Sequence, residues 1–415
     1  MKIGYLSQYF KGVAAKRLKQ GEVDPKTSNQ HEFNGVNALG EILGYNSGEA
    51  LRIPAQFLYL NDDYETDTSI YSYVTWYDSR RDVKTRAAEF RLYYPSSEVM
   101  ECAKPGDLLI VAKRQDDSLM IFIISQGSTA ENQVRLLFGL NGDGTRYEIR
   151  DENKVDQVEL DFIGKRILEQ IGIEIEEVDD DLLDQMLFLY DGEFPTTKVF
   201  SKFARESIPD VTAKDGADAA LIAWMDREET LFRTFERHIV SQRLRHGFGE
   251  NGEDVEAFIK FSLSVQNRRK SRVGHALENH IEAVFKEFQL NFSKNQITEN
   301  SSKPDFIFPG HNEYHLDDFP ISLLTMLGVK SSCKDRWRQV LAEANRIENK
   351  HLLTLETSIS INQTDEMKSK SLSLVIPSPL HSSYTELQRP WLLSLKDFIN
   401  LVNEKQSKWS KLLKI

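Results

Sequence analysis

The sequence predicts an α/β protein in two parts, a mainly β first part and a mixed α/β second part, and three observations carry that reading. Short β-prone or alternating runs at 55–60, 70–77, 90–94, 107–113 and 119–125 are separated by turn residues, as in a β-rich domain. From Ala217 onward helical patterns dominate until a short apolar run, Phe306-Ile307-Phe308, closed by Pro309-Gly310. Between the parts, acids concentrate from 174 to 184 and Gly192-Glu193-Phe194-Pro195 follows. The expected organisation is therefore an amino-terminal domain over 1–173, an acidic linker or hinge over 174–193, and a carboxy-terminal domain over 194–415.

Helices are expected at 158–170 and 180–190, and again at 273–288. Asp305 should stand at the start of the strand that its apolar neighbours form. A second apolar run, 323–329, ends at Lys330 and can pair beside it. The segment 335–349 has Trp337, Val340, Leu341, Ala344 and Ile347 on one helical face, with Arg336, Gln339 and Glu343 on another. If it is one helix, Arg336 and Glu343 lie two turns, roughly 10 Å, apart.

Lys303-Pro304-Asp305, Lys330 and Glu343 carry the chemistry. Two carboxylates and an ammonium gathered on a strand and its neighbouring helix can hold a hard divalent cation against a phosphodiester and activate water. A lone Pro-Asp more often marks a turn or a cap. The usual nuclease pattern also wants an acid two places before the Lys, where this chain has Gly328. Either Glu343 takes that role or the site is not a nuclease site.

A net charge of −12 argues against a generally adhesive cationic nucleic-acid binder. Local charge differs, since 260–272 carries five cations and no acid. Two cysteines, Cys102 and Cys333, exclude a cysteine metal cage or a disulfide framework and point to a cytoplasmic protein. No apolar run has signal or membrane length, and no zinc, phosphate-loop or dinucleotide motif occurs.

From about 194 to 387 the chain resembles the catalytic domain of the EcoRII-type restriction endonucleases. The resemblance is carried by Ser264-Val265-Gln266-Asn267-Arg268-Arg269-Lys270-Ser271-Arg272, Leu277-Glu278, Gln296-Ile297-Thr298-Glu299, Lys303-Pro304-Asp305-Phe306, Val329-Lys330 and Cys333-Lys334-Asp335-Arg336-Trp337-Arg338-Gln339. It implies a PD-(D/E)xK restriction-endonuclease-like fold, a mixed sheet flanked by helices, with the acid displaced to Glu343. Asp305 and Glu343 would bind Mg²⁺, Lys330 would contact the scissile phosphate or the water, and Glu278 would be an auxiliary acid. On its own residues Glu278 is not distinguished from Glu282, one turn away. Tyr314 lies near the site in this family, although a loop Tyr more often packs.

The resemblance further implies base reading by Lys334, Asp335 and Arg336. Lys and Arg donate to guanine and Asp accepts from cytosine N4, which suits a CCNGG or CCWGG target. The alternative is a helix start with an Asp cap. Gln296, Arg268, Arg269, Lys270 and Arg272 would serve the centre of the site and nearby phosphates. The implied partners are double-stranded DNA, a second copy bound through the catalytic domain, and a separate cognate DNA methyltransferase in a prokaryotic cytoplasm.

A looser resemblance covers the first part. Lys16-Arg17-Leu18, Ser28-Asn29-Gln30-His31 and the stretch holding Arg80, Arg81, Lys84, Arg86, Glu89 and Arg91 look like the two DNA-contacting arms of a B3-like pseudobarrel effector domain. A solvated hairpin is the plain alternative for Arg80-Arg81-Asp82. The family implies that effector DNA relieves a block on cleavage. Other classes weighed are a modification-dependent or repair nuclease and a non-catalytic DNA-binding protein.

Overall fold

The computed structural model describes residues 6, 9–23, 31–33, 36–45, 49–62, 68–82, 85–140, 148–150, 162–171, 173, 182–299, 302–333 and 336–412. The chain divides into two compact units, Lys2–Glu174 with Ser358–Ser360, and Ile175–Thr357 with Ile361–Ile415.

The amino-terminal unit is built on one eight-stranded sheet. Its strands are β1 (Phe10–Arg17), β2 (Glu32–Phe33), β3 (Leu51–Leu60), β4 (Thr68–Asp78), β5 (Phe90–Tyr93), β6 (Leu108–Arg114), β7 (Leu119–Ile124) and β8 (Glu148–Arg150), in the order β2-β5-β4-β3-β7-β6-β1-β8. Neighbours run antiparallel except β3 and β7. Every residue of β7 is buried, as in a central strand covered on both faces, whereas β4 alternates over Val74–Asp78, buried on one face and half-exposed on the other. Trp76, Phe57, Leu109 and Ile121 lie in the core this sheet encloses. The mainly β unit fits the pseudobarrel expectation. β1 was not expected from its sequence, because Phe10–Arg17 mixes small residues and cations; it becomes a strand by pairing with both β6 and β8.

The carboxy-terminal unit holds a five-stranded mixed sheet, β9 (Ser293–Lys294), β10 (Phe306–Phe308), β11 (Thr325–Lys330), β12 (Lys350–Thr354) and β13 (Leu372–Val375), in the order β13-β12-β11-β10-β9. The β11/β12 and β12/β13 pairs are parallel, and β10 is antiparallel to both its neighbours. Helices Ala217–His246, Val255–Glu287 and Leu395–Leu412 accompany it. Phe285, on the second of these helices, sets its ring edge-on to Phe306 and Phe308 of β10, with centroids 5.2 Å away in both cases. Aromatic packing of this kind anchors the helix to the strand that leads out of Asp305. Within the helix expected at 158–170, Phe162–Gln170 is helical, and 158–161 lie outside the described residues. Of the acidic linker, 174–181 likewise lie outside them. Among the described residues no helix is long and apolar enough to cross a membrane.

Candidate active site

Asp305 directly precedes β10 and Lys330 ends β11. Antiparallel pairing sets Phe306 opposite Leu327, which brings the two side chains to one end of the sheet. The Lys330 ammonium lies 3.1 Å from Asp305 Oδ2, and the Val329 backbone N–H donates to the same oxygen at 2.6 Å. Both bonds use one oxygen, so the carboxylate keeps acceptor capacity.

Glu343 reaches the same place by a route that differs from the expected helix. The helix covers only Trp337–Leu341, and Glu343 lies beyond its end. The two-turn spacing of Arg336 and Glu343 along one helix is therefore corrected: tertiary hydrogen bonds to the following turn, at Ala344 to Ile347, replace the helical ones. Glu343 is 8% exposed and, among the described residues, its buried Oε2 has no hydrogen-bond partner. Its pKa is pushed up to about 7, chiefly by burial and further by Asp305, against the downward pull of Lys330 and Lys350. These influences bring Asp305, Lys330 and Glu343 into one electrostatic neighbourhood.

Gly328 shows why the acid is not on the strand. A Cβ there would stand 2.7 Å and 3.0 Å from the two γ-carbons of Val340, so the helix lies directly on the strand. Val is stiff at χ1 and cannot swing aside cheaply. No acidic side chain fits at 328 unless the helix moves.

Glu278 lies on the helix Val255–Glu287 and meets Lys294 at 3.4 Å, while Glu282 meets the same ammonium at 3.2 Å. Lys294 stands opposite Phe306 across the β9/β10 pair. This lysine, which no sequence motif singled out, ties both glutamates to the strand beside Asp305. Tyr314 is fully buried; its hydroxyl donates to Glu299 at 2.7–2.8 Å and accepts from the Arg346 backbone N–H at 3.2 Å. Burial and Glu299 raise the phenol's pKa far above its usual value. These contacts make Tyr314 a support for the chain that follows Glu343. Glu299 was visible in the sequence only as part of a motif, and the buried Lys350 carried no local signal.

Of the base-reading triplet, Lys334 and Asp335 lie outside the described residues, and Arg336 is exposed at the start of its helix. Gln296 is exposed, its amide donating to the Lys294 carbonyl at 3.3 Å. The basic run splits. Arg269 pairs with Glu236 at 2.6 Å and the buried Arg272 pairs with Glu229, Arg268 lies over the Phe194 ring at 4.6 Å, and Lys270 is exposed. Arg269 and Arg272 thus have structural partners at hand, a departure from the phosphate-handling expectation.

In the amino-terminal unit, Asn29, Gln30 and Lys84 lie outside the described residues. Lys16 is 3% exposed on β1 and paired with Glu22, so as folded it does not face DNA; burial is the largest influence on it and lowers its pKa. Arg17 pairs with Glu131, Arg80 with Glu89 at 2.5 Å, and Arg91 with Glu32 at 2.8 Å. Asp78 closes the 79–89 loop by accepting from the Arg80 and Glu89 backbone N–H groups at 2.9 and 2.8 Å. Arg81 and Arg86 are exposed there, Arg81 with Asp82 at 3.6 Å. His31 precedes β2 at φ 46°, its ring edge-on to Tyr94 with centroids 5.7 Å apart.

Among the described residues no group of three or more His, Cys, Asp and Glu is placed to hold a metal ion. Two carboxylates, one with a buried oxygen lacking a partner, nevertheless suit Mg²⁺, which takes one or two protein carboxylates and completes its shell with water and phosphate.

The family model described as EcoRII C terminal matches residues 232–399. The chain is 45% identical over 173 residues to the type II restriction enzyme EcoRII of Escherichia coli, a stretch covering 41% of this chain and 42% of that enzyme. The chain therefore matches less than half the length of this curated relative. Solved structures of metal-depleted Ecl18kI are also similar. The complex with uncleaved, modified DNA gives a TM-score of 0.44 at 20% identity, over 55% of this chain and 84% of that one. The complex with uncleaved DNA gives 0.42 at 18% identity, over 55% and 85%.

Proposed function

We propose that this chain, whose residues 232–399 match the EcoRII C-terminal family model, is a type II site-specific deoxyribonuclease acting on double-stranded DNA. The observation that carries the reading is the buried, unpartnered oxygen of Glu343 beside the Asp305–Lys330 pair. Asp305 and Glu343 would hold a divalent cation, Mg²⁺, which when bound stabilises charge on a phosphoryl oxygen and makes water a better nucleophile.

The side chains divide the remaining work. Lys330, tethered by Asp305, has its ammonium fixed for donation to the scissile phosphate, so little ordering is left for the reaction itself. Glu343 must be ionised to act as a ligand, and a cation brought between the two carboxylates favours that form. Glu278, held by Lys294, is an auxiliary acid at the rim. Arg336, exposed beside the site, would read bases together with Lys334 and Asp335 at a CCNGG or CCWGG target.

A homodimer through the carboxy-terminal unit would cut one strand per subunit, and a cognate DNA methyltransferase would protect the host. The amino-terminal unit would bind effector DNA, with Arg81 and Arg86 as its exposed cations, and thereby regulate cleavage. The test is digestion of an unmethylated plasmid of known sequence with Mg²⁺, followed by mapping of the ends. Discrete fragments ending at CCNGG-type sites are expected. A smear, an intact plasmid, or cutting confined to methylated DNA overturns the reading.

A further inference from the structure

Glu343 sits where no regular element holds it. The helix has ended at Leu341, and Ala344, directly after Glu343, has φ 46°, a left-handed backbone that residues with a Cβ rarely adopt. Such a turn persists only where its surroundings over-determine it. Three groups do so here. The Asn345 N–H donates to Glu299 at 3.3 Å, the Arg346 N–H donates to the Tyr314 hydroxyl at 3.2 Å, and the Lys350 ammonium donates to the carbonyls of Ala344 at 3.1 Å and Ile347 at 2.7 Å.

Lys350 is the least expected of the three. It opens β12, is 7% exposed, and burial lowers its pKa against the opposing pull of Glu343 and Glu299. A buried ammonium is costly unless it is paired and hydrogen-bonded. Both of its hydrogen bonds end on the turn that follows Glu343, and Glu343 is the larger of its two charge partners.

We propose that Lys350 is a positioning residue for Glu343: it clamps the turn that aims the carboxylate and places compensating positive charge beside it. The inference rests on the reading of Asp305 and Glu343 as cation ligands. Replacing a group that orients a metal ligand from behind typically costs roughly 10–100-fold in metal affinity or activity.

The full-length K350M and K350Q variants test this by terbium(III) luminescence titration, by the Mg²⁺ dependence of plasmid cleavage and by thermal melting. V402A, a truncation of a buried residue on the helix Leu395–Leu412, is the destabilised control. K350M should weaken terbium binding and raise the half-saturating Mg²⁺ concentration by about 10–100-fold, with cleavage largely recovered at saturating Mg²⁺. K350Q should fall between K350M and the wild type, since its amide can donate to a carbonyl but carries no charge. V402A should shift melting alone. Metal midpoints unchanged in the Lys350 variants, whatever their melting, overturn the inference. D305A and E343A separate the two readings: if neither weakens terbium binding, the cation site itself is wrong, and if both do while the Lys350 variants do not, only the role of Lys350 is lost. Should K350M fail to fold, K350Q carries the same comparison.

Discussion

The cation-rich arms of the amino-terminal unit and the cleft of the carboxy-terminal unit contain the same charged groups and balance them differently. In the arms Lys16, Arg17, Arg80 and Arg91 are each paired with an acid of their own unit. In the cleft Lys330 is paired with Asp305, yet among the described residues nothing donates to a buried oxygen of Glu343. Charges balanced inside a unit are accounted for by folding, because burial demands a partner. A buried acceptor without one points to something that arrives from outside. The comparison thus favours a ligand site in the cleft and leaves the arms to act through their exposed members.

The largest expected effect is on cleavage. Asp305→Ala should abolish it while specific DNA binding persists in a gel-shift assay; retained cleavage would remove Asp305 from the site and with it the contrast between the two regions. Next is Lys16→Met, which removes the cation paired with the buried Glu22 and should cost about 3–5 kcal/mol in urea unfolding. The same variant should leave the salt dependence of DNA binding as it was, and a flatter dependence would make Lys16 a phosphate ligand after all.

Glu343 predicts a pH dependence of definite sign. Its folded pKa of about 7 lies above the ordinary 4.5, so its contribution to stability is fully present below the ordinary value and is lost as pH rises through about 7. Metal-free protein should therefore lose on the order of 3 kcal/mol of stability across that window, and Glu343→Gln should flatten the curve. Cleavage should run the opposite way and decline as pH falls, because the protonated acid is a poor ligand, with saturating Mg²⁺ moving the decline below the metal-free value of about 7. Melting curves and initial rates over the same buffers measure both, and a wild-type stability profile as flat as that of Glu343→Gln would break the contrast.

The smallest effect belongs to the arms' exposed cations. Arg81→Ala with Arg86→Ala should weaken DNA binding almost equally for all sequences and lower the salt slope by roughly one for each phosphate that is no longer neutralised. No change in slope would leave the amino-terminal unit without its electrostatic hold on DNA.

The β character of 55–60, 70–77 and 119–125, the strand after Asp305 and the strand ending at Lys330 were all legible in the sequence, because alternating or continuous apolar runs record burial locally. Even the displacement of the acid from 328 could be read as a missing side chain, though its cause, Val340 packed against the strand, could not. Tertiary structure alone decided three other matters. β1 exists because β6 and β8 pair with it, and that pairing buries Lys16. The helix from Trp337 stops at Leu341 although its apolar spacing continues to Ile347, since Glu299, Tyr314 and Lys350, distant along the chain or on another strand, bind the turn instead. Among the described residues, most of the cations expected to meet DNA found acids of the same chain. Spacing along a chain encodes which face is buried, but which charge meets which is set by the approach of segments far apart in sequence, where desolvation selects the partner.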